Sequence, residues 1–303
     1  MQKTLIAACI GLLIAGGVFY FYQKMTTQVS DAVNSQGNQP VETATTSSAA
    51  TSTIQAGPMS TIIGTSTAGH PIVAYTFGTG TKKILFAGGI HGGYEWNTVL
   101  VARQLVDYLK TNPSVIPASV QVTVVPLLNP DGMSKVVPNI DSFTATDINP
   151  TQSVQVAGRF NGNTVDLNRN FDCDWKAKGT WQKTTVSGGT KAFSETESQA
   201  VKSFVESLHP NAVVVWYSSA GGVFSSNCHD GVLPETKTLT TTFANASGYP
   251  AHEVFNYYEI TGDMVNWLAK MKIPAISVLL TNHTDTEWDK NKAGIDAILE
   301  YYR

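Results

Sequence analysis

Four apolar runs, residues 83–90, 120–128, 212–216 and 273–280, constrain this chain more than anything else in it. Each is short, rich in Val, Ile and Leu, and free of charge beyond its first residue. A strand that is apolar on both faces must be covered on both faces, and a mostly parallel sheet flanked by helices does this. The segments between the runs supply the helices. Residues 97–110 place Val101, Leu105, Val106 and Leu109 at helical spacing, and Ala200, Val201, Phe204, Val205 and Leu208 repeat the pattern. Ser194 and Glu197 before that second set predict a capping box. Pro234 opens a further helix that stops at Gly248, and residues 287–302 close the chain as a helix, with Glu287 in its first turn. Residues 62–77 predict a hairpin, and Asn129-Pro130-Asp131-Gly132 a turn. The fold class is therefore α/β, a single-domain mixed, mostly parallel sheet with helices on both faces. Such sheets bind ligands beyond the carboxyl ends of their strands.

The chain divides into three parts. Residues 5–22 are apolar and uncharged between Lys3 and Lys24, close to the length that spans a bilayer, and Phe19-Tyr20-Phe21-Tyr22 resembles an aromatic interface belt. No A-x-A pattern of small residues follows, so residues 1–25 are expected to be an uncleaved signal anchor rather than a removed signal peptide. Residues 26–57, rich in Ser, Thr, Ala and Gln, cannot bury enough surface to offset ordering and predict a flexible stalk. Residues 58–303 are the folded domain, expected outside the cytoplasm with the membrane as its partner through the N-terminal helix. A net charge of −3 with no basic cluster gives nucleic-acid binding no support. Of the three cysteines, Cys9 lies in the apolar span. Cys173 and Cys228 are either a disulfide, which fits an extracytoplasmic domain, or two separate thiols.

His91-Gly92-Gly93-Tyr94-Glu95 follows the first buried run directly, in the ligand-binding position of such a sheet. Imidazole and carboxylate are natural zinc ligands, and glycine lets backbone bend around an ion, although a His and a Glu four apart more often lie on an ordinary surface. Asp166-Leu167-Asn168-Arg169-Asn170-Phe171 is more specific. Together with Ile63-Gly64-Thr65-Ser66, Arg159 and Tyr258-Glu259-Ile260-Thr261-Gly262-Asp263, in this order, the chain resembles the zinc carboxypeptidases of the A/B type and their bacterial relatives from about Ile62 to its end.

The resemblance implies zinc as cofactor and peptides with a free C-terminus, cell-wall peptides included, as partners. It implies His91 and Glu95 as the first two metal ligands, here with three intervening residues instead of the family's two. It implies Arg159 as the group that polarises the scissile carbonyl, Asn168 and Arg169 as the grip on the substrate carboxylate, and Tyr258 as the residue that closes over it. Val265 stands where the family sets side-chain preference, and its apolar character implies apolar or aromatic C-terminal residues.

Two positions depart from the family. Tyr217 stands where the third zinc ligand belongs, and a neutral phenol is a poor ligand near neutral pH. Leu279 stands where the catalytic glutamate belongs and cannot take a proton. His283 and His229 are the nearby histidines that could replace them. Two functions follow from the same residues. One is an ectodomain that recognises the C-terminal carboxylate through Arg159, Asn168 and Arg169 and is catalytically impaired. The other is an active zinc metallocarboxypeptidase, or a cell-wall peptide amidase, that hydrolyses C-terminal residues.

Overall fold

The computed structural model describes residues 58–303. The expected anchor and stalk lie outside the described residues, among which no helix is long and apolar enough to cross a membrane. The chain runs β1 (Met59–Thr65), β2 (Pro71–Phe77), β3 (Lys82–Ala87), α1 (Trp96–Thr111), β4 (Val120–Val125), α2 (Pro130–Ser134), α3 (Gln152–Ala157), β5 (Lys178–Trp181), β6 (Thr184–Ser187), α4 (Thr196–Leu208), β7 (Ala212–Ser218), β8 (Gly222–Ser225), α5 (Pro234–Ser247), β9 (Ala251–His252), α6 (Met264–Lys270), β10 (Ala275–Leu280) and α7 (Trp288–Tyr301).

One eight-stranded sheet has the order β1-β2-β4-β3-β7-β10-β8-β9, and β5 and β6 form a separate hairpin. The four apolar runs are its centre: β4, β3, β7 and β10 pair in parallel. The margins are mixed, with β1, β2 and β8 antiparallel to their inner neighbours and β9 parallel to β8. Strand alternation sorts side chains onto two cores. Phe86, Val214, Trp216 and Val278 pack with α1, α5 and α7, while Leu85, Val215, Tyr217 and Leu279 pack with Phe171, α4 and α6. On the first face Trp216 stacks on Phe86 at 5.6 Å, and its indole N–H donates to Asn291 Oδ1 at 2.9 Å, so the largest buried ring leaves no polar atom unpaired. Burying each such side chain contributes about 1.5–3 kcal/mol. The second face carries the site, and strand parity commits both Tyr217 and Leu279 to it.

Three local expectations are corrected. Asn129 does not begin a turn: its Oδ1 accepts from Gly132 N at 2.8 Å and caps the short helix α2, for which Pro130 is a suitable first residue. Ser194 does not cap α4, which begins after Glu195. Its hydroxyl instead donates to Glu195 Oε1 at 2.7 Å and accepts from Asn170 Nδ2 at 2.9 Å, bracing the loop that follows Asp166. Glu287 precedes α7 at φ 46°, and its carboxylate accepts from Thr281 N, Thr281 Oγ1 and Tyr249 Oη, tying the end of β10 to α5 and α7. The β5–β6 hairpin, β8, β9 and α6 had no sequence expectation; each is seven residues or fewer, too short for a periodic signal.

Cys173 and Cys228 are joined in a disulfide with a Cα–Cα distance of 6.2 Å. It links the segment after Phe171 to the segment after β8 across a sequence separation of 55 residues, which the loop-entropy model converts to about 4 kcal/mol. Thiol titration of the denatured, unreduced full-length chain should therefore count one free cysteine of the three, Cys9, and all three after reduction. Reduction should lower unfolding stability by an amount of that order. Three thiols before reduction would refute the bond.

Candidate functional site

The site sits at the carboxyl ends of the parallel strands. After β3 the chain turns through Gly88 and Gly89 into His91 and a 3-10 turn, Gly92–Glu95. Gly92 has φ 45°, and a Cβ there would stand 2.7 Å from the carbonyl oxygen of Gly158, so only glycine lets the turn pack this closely. The tight turn absorbs the extra residue between His91 and Glu95: His91 Nδ1 lies 2.9 Å from Glu95 Oε1, both side chains buried. The contact is close but poorly aligned. His91 Nδ1, His91 Nε2 and Glu95 Oε2 have no hydrogen-bond partner.

Asp166 joins these residues to the rest of the site. Its side chain is fully buried; Oδ2 accepts from Arg159 Nε at 3.0 Å and Nη2 at 2.8 Å, Oδ1 accepts from Asn168 N at 3.0 Å, and His91 Nε2 lies 3.4 Å away. Burial pushes the Asp166 carboxyl up, but Arg159 and then His91 more than reverse this and hold it ionised far below the usual carboxylate range. Arg159 is thus fixed by Asp166, lies 3.8 Å from Glu95, and rests 4.4 Å over the Trp181 ring. Asp166 stands within the sequence motif without an expected role, and Trp181 stands outside every motif. A lone acid two residues before Asn168, in a segment following a turn, was the available signal for the first; nothing marked the second.

Asn168 and Arg169 both line the cleft. Asn168 Oδ1 accepts from Met264 N at 3.0 Å and Tyr217 Oη at 3.3 Å, which fixes the amide and leaves its Nδ2 for the cleft. Arg169 is buried, with Nε and Nη2 donating to Thr180 O at 3.1 and 2.7 Å and Nη1 to Asn168 O at 2.6 Å. Two of its five N–H donors remain, and among the described residues no carboxylate lies within 4.0 Å of it. Gly262, at φ 65°, where a Cβ would stand only 2.5 Å from Arg169 O, lets its loop close against the Leu167–Arg169 turn, and Tyr258 in the same loop lies 6.0 Å from the guanidinium.

Tyr217 and Leu279 are register partners in the parallel pair β7–β10. Burial pushes the Tyr217 phenol well above its ordinary range, with Asp263 and Glu95 adding to the effect, so it is a neutral donor to Asn168. These residues do not fit a tight zinc site. His91 and Glu95 supply two strong donors, and the third position offers a protonated phenol. Among the described residues the sole set of three His, Cys or carboxylate donor atoms within 4.8 Å of one another is Cys173, Cys228 and His229, whose sulfurs are spent in the disulfide. His283 does reach the cleft, with Nδ1 2.9 Å from Ser218 Oγ and its ring 4.7 Å from Tyr94, but it does not complete a ligand set. His229 is exposed and paired with Asp174 at 3.0 Å.

His91, Glu95, Arg159, Asn168, Arg169 and Tyr217 line one cleft of about 650 Å³. Val265 contributes to it, as do Asn227, Asp263 and Asn266. Asp263 caps α6 through Oδ2, which accepts from Asn266 N at 3.2 Å, while Oδ1 is buried and unpaired.

A family model described as zinc carboxypeptidase matches residues 53–278. Among solved structures, the chain is similar to murein-tripeptide amidase MpaA from Escherichia coli O157 (22% identity, 79% of this chain and 90% of that chain, TM-score 0.56). It is also similar to carboxypeptidase A from Helicoverpa armigera (17%, 80% and 66%, 0.60) and to bovine thrombin-activatable fibrinolysis inhibitor (16%, 81% and 88%, 0.63). At these identities the likeness concerns the fold. No curated protein matches the chain.

Burial raises the Asp263 carboxyl from 3.8 to about 6. Between those values the folded chain holds a proton that the unfolded chain has lost, so stability falls as pH rises through this window; above it the ionised group costs about 3 kcal/mol. Asp263→Asn, which keeps a helix cap, should therefore raise the unfolding midpoint at pH 7 and remove part of the decline between pH 4 and 6. Equal or lower stability of the variant at pH 7 would contradict this reading.

Proposed function

Because the chain belongs to the zinc carboxypeptidase family, we propose that residues 58–303 are a receptor for peptides with a free C-terminal carboxylate, cell-wall peptides included, in which hydrolysis is lost or nearly lost. The observation that carries the reading is Arg169. A buried guanidinium satisfied by carbonyl oxygens alone, with donors to spare and an oriented amide beside it, is built for an anion from outside the chain. Two parallel donors and Asn168 Nδ2 match one carboxylate. Tyr258 stands next to this grip and encloses what it holds. The cell-wall element of the proposal draws on the likeness to the murein-tripeptide amidase.

The hydrolytic half is argued from Tyr217 and Leu279. Among the acids that line the cleft, Glu95 is buried against Arg159 and His91, and Asp263 lies with Asn227 and Asn266. Nothing stands in for a base at the Leu279 position, and general-base catalysis contributes on the order of 10²- to 10⁴-fold in rate. In the same reading the domain is an ectodomain, held to the membrane by residues 5–22, with the Cys173–Cys228 disulfide in keeping with an oxidising compartment.

Peptides ending in a free carboxylate should bind the full-length chain, and their C-terminal amides at least tenfold more weakly, as read by calorimetry. Arg169→Ala should abolish the difference. The unmodified chain should lose zinc to a mild chelator and release no C-terminal residue. Tyr217→His should restore chelator-resistant zinc, and turnover should require Leu279→Glu in addition, because a metal without a base and a base without a metal achieve little singly. Robust release of C-terminal residues by the unmodified chain would show that it is an active metallocarboxypeptidase instead.

Protease added to intact cells should digest residues 58–303 while leaving the chain's N-terminus with the membrane fraction. Protection until the cells are lysed would place the domain on the other side.

A further inference from the structure

Where β7 and β10 end, a chain of hydrogen bonds runs from the core into the cleft, apart from the carboxylate grip. It starts at Asn97, the second residue of α1, which is fully buried. Both hydrogens of its amide are committed: Nδ2 donates to Asn282 O at 2.8 Å and to Asp285 O at 3.0 Å. Turning the amide over would set its oxygen against two carbonyls, so Oδ1 is the end that faces Ser218. Ser218 Oγ lies 3.1 Å from that oxygen and donates its single hydrogen there. Toward His283 Nδ1, 2.9 Å away, Ser218 can then only accept. Nδ1 therefore carries the ring proton, and Nε2 keeps its lone pair. Ser219 Oγ stands 3.4 Å from this Nε2.

A hydroxyl, a base beside it and a third group that fixes the base make up an activated nucleophile. Ser219 is exposed, and it lines the cleft together with Tyr94, Ser218 and His283. A contact of 3.4 Å is long, but such contacts often tighten only when a substrate is in place. Tyr94 lies against the imidazole, with 4.7 Å between centroids. Burial lowers the His283 pKa, which leaves the ring neutral and able to take a proton. The third group here is a neutral hydroxyl backed by an amide. It fixes the tautomer but, unlike a carboxylate, does little to stabilise an imidazolium. A base of this strength suits acyl groups with a good leaving group, which means esters rather than amides.

We propose that Ser219 is a nucleophile toward carboxylic esters, with His283 as its general base and Ser218 and Asn97 as positioning residues. This goes beyond the receptor reading and does not rest on it. The Ser219 oxygen forms a bond to the ester carbonyl carbon while its proton passes to His283 Nε2. The bond from that carbon to the alkoxy oxygen then breaks, and the departing alcohol takes the proton from Nε2. Water repeats the sequence on the acyl-serine. Its oxygen bonds to the acyl carbon, one proton passes through Nε2 to Ser219 Oγ, and the free acid leaves. Water is the only co-reactant.

The test treats the full-length chain with a fluorophosphonate and, separately, with an aryl acetate, each before and after a chelator. The fluorophosphonate should label a single residue, and fragment masses should place the label on Ser219. The aryl acetate should release its phenol at a rate the chelator does not change. Ser219→Ala should abolish both reactions. His283→Ala should slow both on the order of a hundredfold, the contribution of a general base, and added imidazole should restore part of the rate, which it would not do for a merely structural histidine. NMR of the His283 ring should show the proton on Nδ1, and Ser218→Ala should admit the other tautomer. The proposal is overturned if the label falls elsewhere or forms no faster than on the unfolded chain. It is also overturned if His283→Ala leaves both rates unchanged at an unchanged unfolding midpoint, or if the chelator stops phenol release. If Ser219 reacts while peptides with a free carboxylate fail to bind, the receptor reading falls and this one stands.

Discussion

The pairing of Asp166 with Arg159 organises everything around the cleft. A carboxylate and a guanidinium buried to this depth each lose several kcal/mol of hydration, and their attraction offsets that loss only when the geometry is good and the remaining lone pairs are used. Here Asp166 meets both conditions. Two guanidinium N–H groups and one backbone N–H converge on its oxygens, with the His91 ring alongside. Removing either partner would strand the other, so the pair fixes the path of the loop that carries Asn168 and Arg169 as firmly as any apolar contact does. His91 Nε2 and Glu95 Oε1 then lie 3.4 Å from Asp166 and 3.8 Å from Arg159. The polar arrangement of the site is thereby kept by folding energetics, and it persists whether or not a metal completes it.

Tyr217 and Leu279 make physical sense as a pair. They are neighbours in the β7–β10 register, on the face that packs against Phe171 and α6. A carboxylate at residue 279 would enter the apolar cluster that holds Phe171, Val215 and Val265. Leucine there adds apolar burial instead. Tyrosine at 217 fills the space beside His91, at 5.8 Å between ring centroids, and uses its hydroxyl to orient Asn168. Tyr217 and Leu279 thus add to the apolar wall, and Tyr217 also orients the Asn168 amide.

The fold was legible because its central strands are uniformly apolar. Runs such as 212–216 admit few alternatives, and α1, α5 and α7 follow from periodicity and from stop signals such as Gly248, which has φ 74°. The margins were not legible: β8 and β5 are four residues long, and their pairing is decided by tertiary context. At the site, residues of one specific string, Asn168 and Arg169, line the same cleft as His91 and Glu95. Capping was misjudged at Ser194, where a competing partner, Asn170, lies 24 residues away in sequence, and at Asn129, where Pro130 reads equally well as a turn or a helix start. Asn227 arrives from a different segment, and no local pattern announces which strand ends will share a cavity.

Arg169 and Asp263 give the clearest view of how such a cleft stays open for a ligand. Both are buried and of opposite charge, and they lie on segments in direct contact, since Phe171 N donates to Gly262 O at 2.8 Å. Left free, they would neutralise one another and close the cleft electrostatically. Each is instead tethered away. Thr180 O and Asn168 O hold the guanidinium from one side, and Asn266 N holds the carboxylate at the start of α6. Backbone groups set by secondary structure cannot rotate to release them. The chain thus carries the cost of an unpaired buried cation and an unpaired buried acid at once, a local instability that a well-packed α/β domain tolerates at a binding site. A carboxylate brought by a ligand relieves the Arg169 part of that cost.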